Sequence, residues 1–566
     1  MALTKATNSM IVGSSNNVLD FGAVGGGVDD TIACQLAIDS SVGGTLVFPE
    51  GYTFSSGALT LHSNSHYVID GTIKVVSTAG DLILLGGSNL TKVRISGKGT
   101  LDGGKTISGY QGLSAVDLTV RTDLSPLQNG DIFYHTGIAQ FKEYDGSAWS
   151  QINMIRTGIK LNYPTECIIE DITITNFILT SQPGIDGAGL WLEGDPDGTW
   201  VDPDPLGARD NIALRVKAVY NIGNGIVFGG NEDSKTENCV GSNNGWASGI
   251  AHTRGLRAHS IGDRADSNET SNITVNCEDS EIHHPVSTNS GYSGINIGHD
   301  SAASDASRTL LVGGVSEGNN YEGVSVAGST DVKIIGTYIN NNGANGGSND
   351  RYGIRALSGT ERLTIIGAEV KGSKNSGIYL QFGTGHRVES TKSHFNDRTG
   401  MLLATDDTII SDCDVFNNNQ LGGSSRAGIQ ISGGSVTITD CRMYDDQGAP
   451  TQSYGALASS GLHKIMGGSI TGNSVSATNV SGGAQFGFTS VSLGTDLMNG
   501  SLTLTAGNST VVANNNALSP SRILLVPRDS AGILLNPYPA SVVVGTSFTI
   551  SHFTAGGTEA FGYVIL

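Results

Sequence analysis

An all-β chain wound as a right-handed parallel β-helix is the fold class the sequence predicts, and three observations predict it. A glycine followed by an apolar pair recurs through the middle of the chain: Gly189-Leu190-Trp191-Leu192, Gly225-Ile226-Val227-Phe228, Gly249-Ile250, Gly294-Ile295-Asn296-Ile297, Gly323-Val324-Ser325-Val326, Gly353-Ile354, Gly377-Ile378-Tyr379-Leu380, Gly400-Met401-Leu402-Leu403, Gly428-Ile429-Gln430-Ile431 and Gly455-Ala456. Its steps run from 23 to 45 residues, which suits one solenoid rung of short strands with loops of variable length. A second ladder keeps step with it, in Ile172-Thr173-Ile174, Ile212-Ala213-Leu214, Ile273-Thr274-Val275, Val332-Lys333-Ile334, Leu363-Thr364-Ile365, Ile409-Ile410 and Val436-Thr437-Ile438; two or three strands per rung close the coil. Finally, 80 glycines and 15% charged residues in 566 argue for many turns rather than many helices.

Each element then follows in order. Residues 1–19 are polar and patternless and read as a short attachment peptide or a disordered end. Asp29 or Asp30 is placed to cap a helix whose apolar positions Ile32, Leu36 and Ala37 share a face, a lid on the first rung. Residues 20–106 hold this lid and the first rungs: Gly44-Thr45-Leu46-Val47-Phe48, Tyr67-Val68-Ile69 and Val93-Arg94-Ile95 read as period-2 strands ended by glycine. The beat stops over 107–155, where Gly130-Asp131-Ile132-Phe133-Tyr134 and Phe141-Lys142-Glu143-Tyr144-Asp145-Gly146 read as a small inserted β-meander with an Asp-Gly turn. Rungs fill 156–484, and Asn340-Asn341-Asn342 and Asn417-Asn418-Asn419 suit left-handed turns and side-chain ladders. Longer strands over 485–566, such as Arg522-Ile523-Leu524-Leu525-Val526, predict a β-sandwich-like cap that subunits could share.

The run Asp20-Phe21-Gly22-Ala23, the glycines that follow it and Asp29-Asp30-Thr31 ahead of the helix resemble the opening of the pectate-lyase-like β-helix domains of bacteriophage tailspikes. Gly26 stands where that pattern usually carries Asp. The tail resembles the C-terminal trimerisation domains of the same proteins in pattern. The resemblance implies a virion tailspike that forms a homotrimer, and Met1-Ala2-Leu3-Thr4-Lys5, without the apolar stretch of a signal peptide, leads us to expect synthesis in the host cytoplasm. Residues 1–19 would plug into a tail adaptor or a second tailspike, and the protein would bind and depolymerise bacterial capsular polysaccharide.

Charge narrows the partners. Thirty-two Lys plus Arg against 52 Asp plus Glu leave a net charge of −20, which argues against a nucleic acid or an anionic membrane as partner. No apolar run approaches the length of a membrane span. The six cysteines contain no CxxC pair, so neither a metal site nor a disulfide framework is assigned. Cys413 and Cys441, one rung apart, are expected to stack as small buried side chains. No cofactor is assigned.

Alternation along a strand exposes the second and fourth residues after each glycine. That puts Trp191, Glu193, Asn296, Arg355 and Tyr379 on one surface, with Asp195, Glu232, Asp233, Arg254, Arg257, His299 and Asp300 close by. Rungs about 4.8 Å apart allow Glu193 or Asp195 with Glu232 or Asp233 to form the acid/base pair of a glycosidase. His299 and Asp300 lie further along the same surface. A lyase acting on a uronate would instead need a neutral base and a cation, which His299, His252, Arg254 and Arg257 offer. His252 is also in register with Leu192, Phe228 and Ile297, which predicts an inward, hydrogen-bonded histidine and ranks it below His299. Trp191, just before the acidic stretch Asp195–Asp204, and Trp200, within it, suit stacking on sugar. That stretch lacks the terminal Glu of a calcium loop and reads as a groove wall.

Overall fold

The structure is a computed structural model of the 566-residue chain. It describes residues 15–76, 81–104, 132–135, 140–144, 147–151, 155–177, 188–194, 207–245, 247–298, 306–344, 351–423, 426–458 and 463–480, and the strands between 485 and 565; for 132–143, 149–151 and positions past 475 the description is of backbone alone. The attachment peptide up to residue 14 and the Asp145-Gly146 turn lie outside the described residues. The chain divides into two compact units, residues 1–374 and 375–566.

In the first unit each rung gives one short strand to each of three parallel sheets. The glycine-led sheet contains Leu82–Ser88, Arg156–Asn162, Leu190–Glu193, Ile226–Gly229, Ile250–Leu256, Ile273–Glu278, Ile295–Gly298, Val324–Ala327 and Ile354–Ala356. Its strands stack in register, Leu190 opposite Ile226, Ile226 opposite Ile250 and Ile250 opposite Ile273. Ile168–Glu170, Ile212–Leu214 and Lys235–Glu237 belong to the second sheet, and Thr173–Thr175, Lys217–Val219 and Val240–Ser242 to the third. Leu190, Leu192, Ile226, Phe228, Ile250, Ile295 and Ile297 point inward and are fully buried.

The step of 45 residues conceals a rung: Ile273–Glu278 is a strand of this sheet with Asn272 where its neighbours carry Gly249 and Gly294. The expected second ladder is therefore a mixture. Ile273-Thr274-Val275 belongs to the glycine-led sheet and Thr173–Thr175 to the third, whereas Ile212–Leu214 and Lys333–Ile335 are in the second. The triplets do not even share one alternation, since Ala213 is the inward residue of Ile212–Leu214 while Thr173 points out between Ile172 and Ile174, so an apolar triplet alone does not mark the sheet.

Glycine recurs because an asparagine ladder occupies its space. Asn221, Asn244 and Asn268 stack inside the coil; the Asn221 N–H donates to Asn244 Oδ1 (3.1 Å) and the Asn244 N–H to Asn268 Oδ1 (3.0 Å). Their amides reach back to the carbonyls of Ala218 and Gly241. A Cβ on Gly225 would fall 2.7 Å from Asn244 Nδ2, and one on Gly323 2.7 Å from Asn342 Nδ2. At the corner after the glycine-led sheet, Asp233, Arg257, Asp279, Arg308, Asp331 and Arg362 take left-handed backbone on successive rungs. Each arginine forks onto the preceding aspartate, as Arg257 Nε and Nη2 do onto Asp233 at 2.6 and 2.9 Å.

The capping helix spans Thr31–Asp39. Asp29 Oδ1 accepts the Thr31 N–H at 3.0 Å, while the Asp30 carboxylate ties down the N–H groups of Val24 and Gly25. Its buried face is Cys34, Ala37 and Ile38, and Ile32 and Leu36 are exposed, which corrects the expected face. Small Cys34 and Ala37 with Ile38 form an i, i+3, i+4 stripe that lets the helix approach the coil closely, a fit bulkier Ile32 and Leu36 do not offer. In the inserted segment, Ile132–His135, Gln140–Tyr144 and Trp149–Gln151 pair antiparallel, as a meander should.

The second unit has the same parallel plan in Ile378–Leu380, Met401–Leu403, Ala427–Ile431 and Tyr454–Ala458. Asn396, Asn418 and Gln452 form its inner ladder. Asn417 and Asn419 take the left-handed turn conformation, as Asn341 does in the first unit. Cys413 and Cys441 are buried against each other, and that contact, with burial adding to it, pushes the Cys413 thiol up. All six cysteines are free and buried. Beyond Val491 the pairing turns antiparallel, with Ala560–Ile565 between Asn499–Thr503 and Ile523–Pro527, and Ser547–Ala555 between Gly507–Ala513 and Tyr538–Val543. Among the described residues no helix is long and apolar enough to cross a membrane.

Candidate functional site

The outward face of the glycine-led sheet carries most of the expected side chains, in columns one residue wide. One column, two residues past each glycine, runs Trp191, Val227, Ala251, Thr274, Asn296, Ser325 and Arg355. Its beginning is covered and not open as expected: Trp191 and Val227 join Ala188 in an apolar cluster separate from the main core. Lys160 Nζ lies 3.8 Å from the Trp191 ring centroid, a cation–π contact. Trp191 Nε1 is buried with no hydrogen-bond partner among the described residues. From Thr274 onward the column is polar.

A second column, two residues further along, runs Asn162, Glu193, Gly229, Thr253 and Asn276. Glu193 is 1% exposed, yet on the outer face. A buried carboxylate requires a partner, and Arg254 supplies it, with Nη2 at 3.4 and 3.5 Å from the two carboxylate oxygens. Arg254 reaches Glu193 because the ladder breaks between Thr253 and Gly255, leaving Arg254 as a bulged residue at φ 55°; bulges of this kind re-aim a side chain out of the pleat. Gly229, opposite Glu193, leaves the space the carboxylate fills, since a Cβ there would stand 3.0 Å from Glu193 Oε1.

Glu232, Asp233 and Arg257 belong to a different group. Arg257 forks onto Asp233 and lies 3.6 Å from Glu232, within the corner ladder of alternating Asp and Arg. That arginine holds the Asp233 carboxyl below its ordinary range. His252 is fully buried, stacked on Phe228 at 5.1 Å, with Ser234 Oγ at 3.0 Å from Nδ1 and Thr236 Oγ1 at 3.0 Å from Nε2. Burial depresses its pKa to about 3, so it is the inward histidine its register predicts. The same Thr236 hydroxyl donates to Asp263, which also accepts from Ser260 Oγ (2.7 Å) and the Cys239 N–H (2.8 Å). Three donors suit an ionised carboxylate even though burial raises its pKa to about 6.

Sequence reasoning missed Glu322. It immediately precedes Gly323, in a column with Ser248, Ser271 and Ser293 on earlier rungs. Glu322 Oε1 accepts from Arg355 Nη1 at 3.0 Å and Oε2 from Ser293 Oγ at 2.9 Å. Burial outweighs these donors and raises its pKa. Beside it, the Tyr292 and Tyr321 rings meet at a tilt of 32° with centroids 4.3 Å apart. Its one sequence signal is Tyr-Glu-Gly at 321–323, where the preceding rung carries Tyr-Ser-Gly at 292–294. Glu193 and Glu322 sit five rungs apart, about 24 Å at 4.8 Å per rung, too far for one catalytic pair. Asn296 Nδ2 donates to the Gly298 carbonyl at 3.0 Å. Tyr379, half-buried, belongs to the second unit. Asp195, Trp200, His299 and Asp300 lie outside the described residues. Among the described residues no three His, Cys, Asp or Glu side chains converge as a metal site.

A family model described as "Right handed beta helix region" matches residues 323–550, running past the last parallel strand into the antiparallel sheets. No curated protein matches the chain by sequence. Among solved structures, a mutant tailspike protein of E. coli bacteriophage HK620 in complex with a pentasaccharide is 12% identical, covering 97% of this chain and 92% of its own, with a TM-score of 0.50. The Dettilon tailspike protein is 11% identical over 97% and 94% of the two chains, with a TM-score of 0.40. The A-module of an Azotobacter vinelandii mannuronan C-5 epimerase is 14% identical over 84% and 99%, with a TM-score of 0.33. With its three parallel sheets and a single described α-helix, the chain has a tailspike-like right-handed parallel β-helix fold.

Proposed function

We propose that this protein is a phage tailspike that binds host capsular polysaccharide along the outward face of the glycine-led sheet and cleaves its glycosidic bonds by hydrolysis. The observation that carries the reading is Glu193, a carboxylate buried on the outer face of a β-sheet and held by an arginine that leaves its strand to reach it. A carboxylate paired with an arginine suits the base or nucleophile of a hydrolase; the proton donor is drawn from Asp195 and Glu232. Support also comes from the pentasaccharide bound to the HK620 tailspike of similar fold. Elimination would have to use His299 as its base, since His252 is enclosed in the coil by Ser234 and Thr236. By the same reading the antiparallel sheets after Val491 join three copies, and the N-terminal peptide docks on the virion.

The experiment is to incubate purified protein with capsular polysaccharide and follow reducing ends and the ultraviolet absorbance of unsaturated uronates. Reducing ends without new absorbance, abolished by Glu193→Gln with folding intact, are expected. Both signals together would indicate a lyase, and neither a glycan-binding fibre.

A further inference from the structure

We propose that Tyr292, Glu322 and Arg355 form a subsite for an uncharged pyranose ring, distinct from the Glu193 region. This rests on the reading that the outward face handles glycan. Tyr292 is 48% exposed and is backed by the Tyr321 ring at 4.3 Å, so one aromatic face is braced from behind. Such a face suits the C–H surface of a pyranose. The residues that follow the two tyrosines are Ser293 and Glu322, joined by the 2.9 Å hydrogen bond from Ser293 Oγ. Polar groups for sugar hydroxyls therefore begin where the aromatic platform ends. Asn296 and Ser325 continue that floor on the same two rungs, and Arg355 closes it from the next.

The charge arrangement sets the class of ligand. Arg355 is committed to Glu322 at 3.0 Å and lies over the Tyr352 ring at 5.2 Å, so the pair is neutral as a unit. A uronate would bring its carboxylate against Glu322 with the adjacent cation already engaged. A neutral hexose needs only acceptor and donor pairs for its hydroxyls, which the part-exposed Asn296 and Arg355 offer, with Glu322 and Ser293 buried behind Arg355 to hold it in place. The pair also explains a polar expense: a carboxylate kept 2% exposed at the outer surface costs desolvation, and burial raises its pKa accordingly.

The test is saturation-transfer NMR on the full chain with methyl pyranosides of glucose, galactose and mannose and the corresponding methyl uronides. At least one neutral pyranoside should receive saturation at the protons of one ring face, with uronides well below it. Tyr292→Ala should weaken that binding about tenfold, and Glu322→Gln should weaken it while an unchanged thermal midpoint shows the coil intact. The proposal is overturned if no neutral pyranoside binds, if binding survives Tyr292→Ala undiminished, or if uronides bind equally well. Clearing of a capsulated lawn separates the two readings. Clearing with no pyranoside bound keeps the depolymerase and discards this subsite; pyranosides bound through Tyr292 without any clearing keep the subsite and discard cleavage.

Discussion

Asp263→Asn should unmask an acid sensitivity that the native chain conceals. Two enclosed groups share the Thr236 hydroxyl and titrate in opposite senses. The His252 value falls from 6.5 to about 3 on folding, so its contribution to stability is present above 6.5 and is lost as pH falls through about 3. The Asp263 value rises from 3.8 to about 6, so its contribution is fully present below 3.8 and is lost as pH rises through about 6. Between about 6 and 3.8 the unfolded chain carries its proton on His252 and the folded chain carries its own on Asp263. Equal proton numbers give no slope. Without Asp263 only the histidine remains, and stability should fall by about 1.4 kcal/mol per pH unit below 6.5. By pH 4 the variant should have lost about 3 kcal/mol more than the native chain, the linkage equivalent of the interval from 3.8 to about 6. Urea unfolding of both proteins at pH 7, 6, 5 and 4 measures this, because every other titrating group is common to both. Parallel stability–pH curves would refute the argument.

Other outcomes follow from single contacts. Gly229→Ala places a methyl against the Glu193 carboxylate and should lower depolymerisation by about tenfold or more with little change in thermal midpoint; unaltered turnover would separate Glu193 from the chemistry. Gly225→Ala collides with Asn244 of the inner ladder and should destabilise the coil by about 2 kcal/mol or more, read as a lower urea midpoint. Arg308→Ala removes a fork onto Asp279 at half-exposed side chains and should cost under about 1 kcal/mol; a larger loss would mean that the corner ladder acts cooperatively. The six thiols should resist a disulfide reagent in the native state and react only on denaturation, since burial pushes Cys34 and Cys277 up to about 12.

What was legible in the sequence follows from how each feature is enforced. The glycine beat survives because the asparagine ladder excludes a Cβ at Gly225 and Gly323, and Asn340–Asn342 announced the ladder itself. His252 was legible as an inward residue because strand alternation is strict. The helix face was not, because Ile32-Ala33-Cys34-Gln35-Leu36-Ala37-Ile38 offers two stripes, and the choice rests on how closely small side chains let the helix approach. Arg254 could be listed but not aimed, since a bulge is a break in register that alternation cannot foresee. Glu322 escaped notice because its column precedes the glycine, while Arg355, its partner, arrives 33 residues later from the next rung.

The inner asparagines of the first unit have a consequence for how such a chain can change length. Each amide answers to carbonyls of the turn behind it and to an N–H of its neighbour, so a cut removing part of a turn strands several donors at once. Excising or duplicating one complete circuit would leave every such group answered. Growth and shortening by whole circuits, with side loops free to lengthen between them, is therefore the kind of editing this interior tolerates.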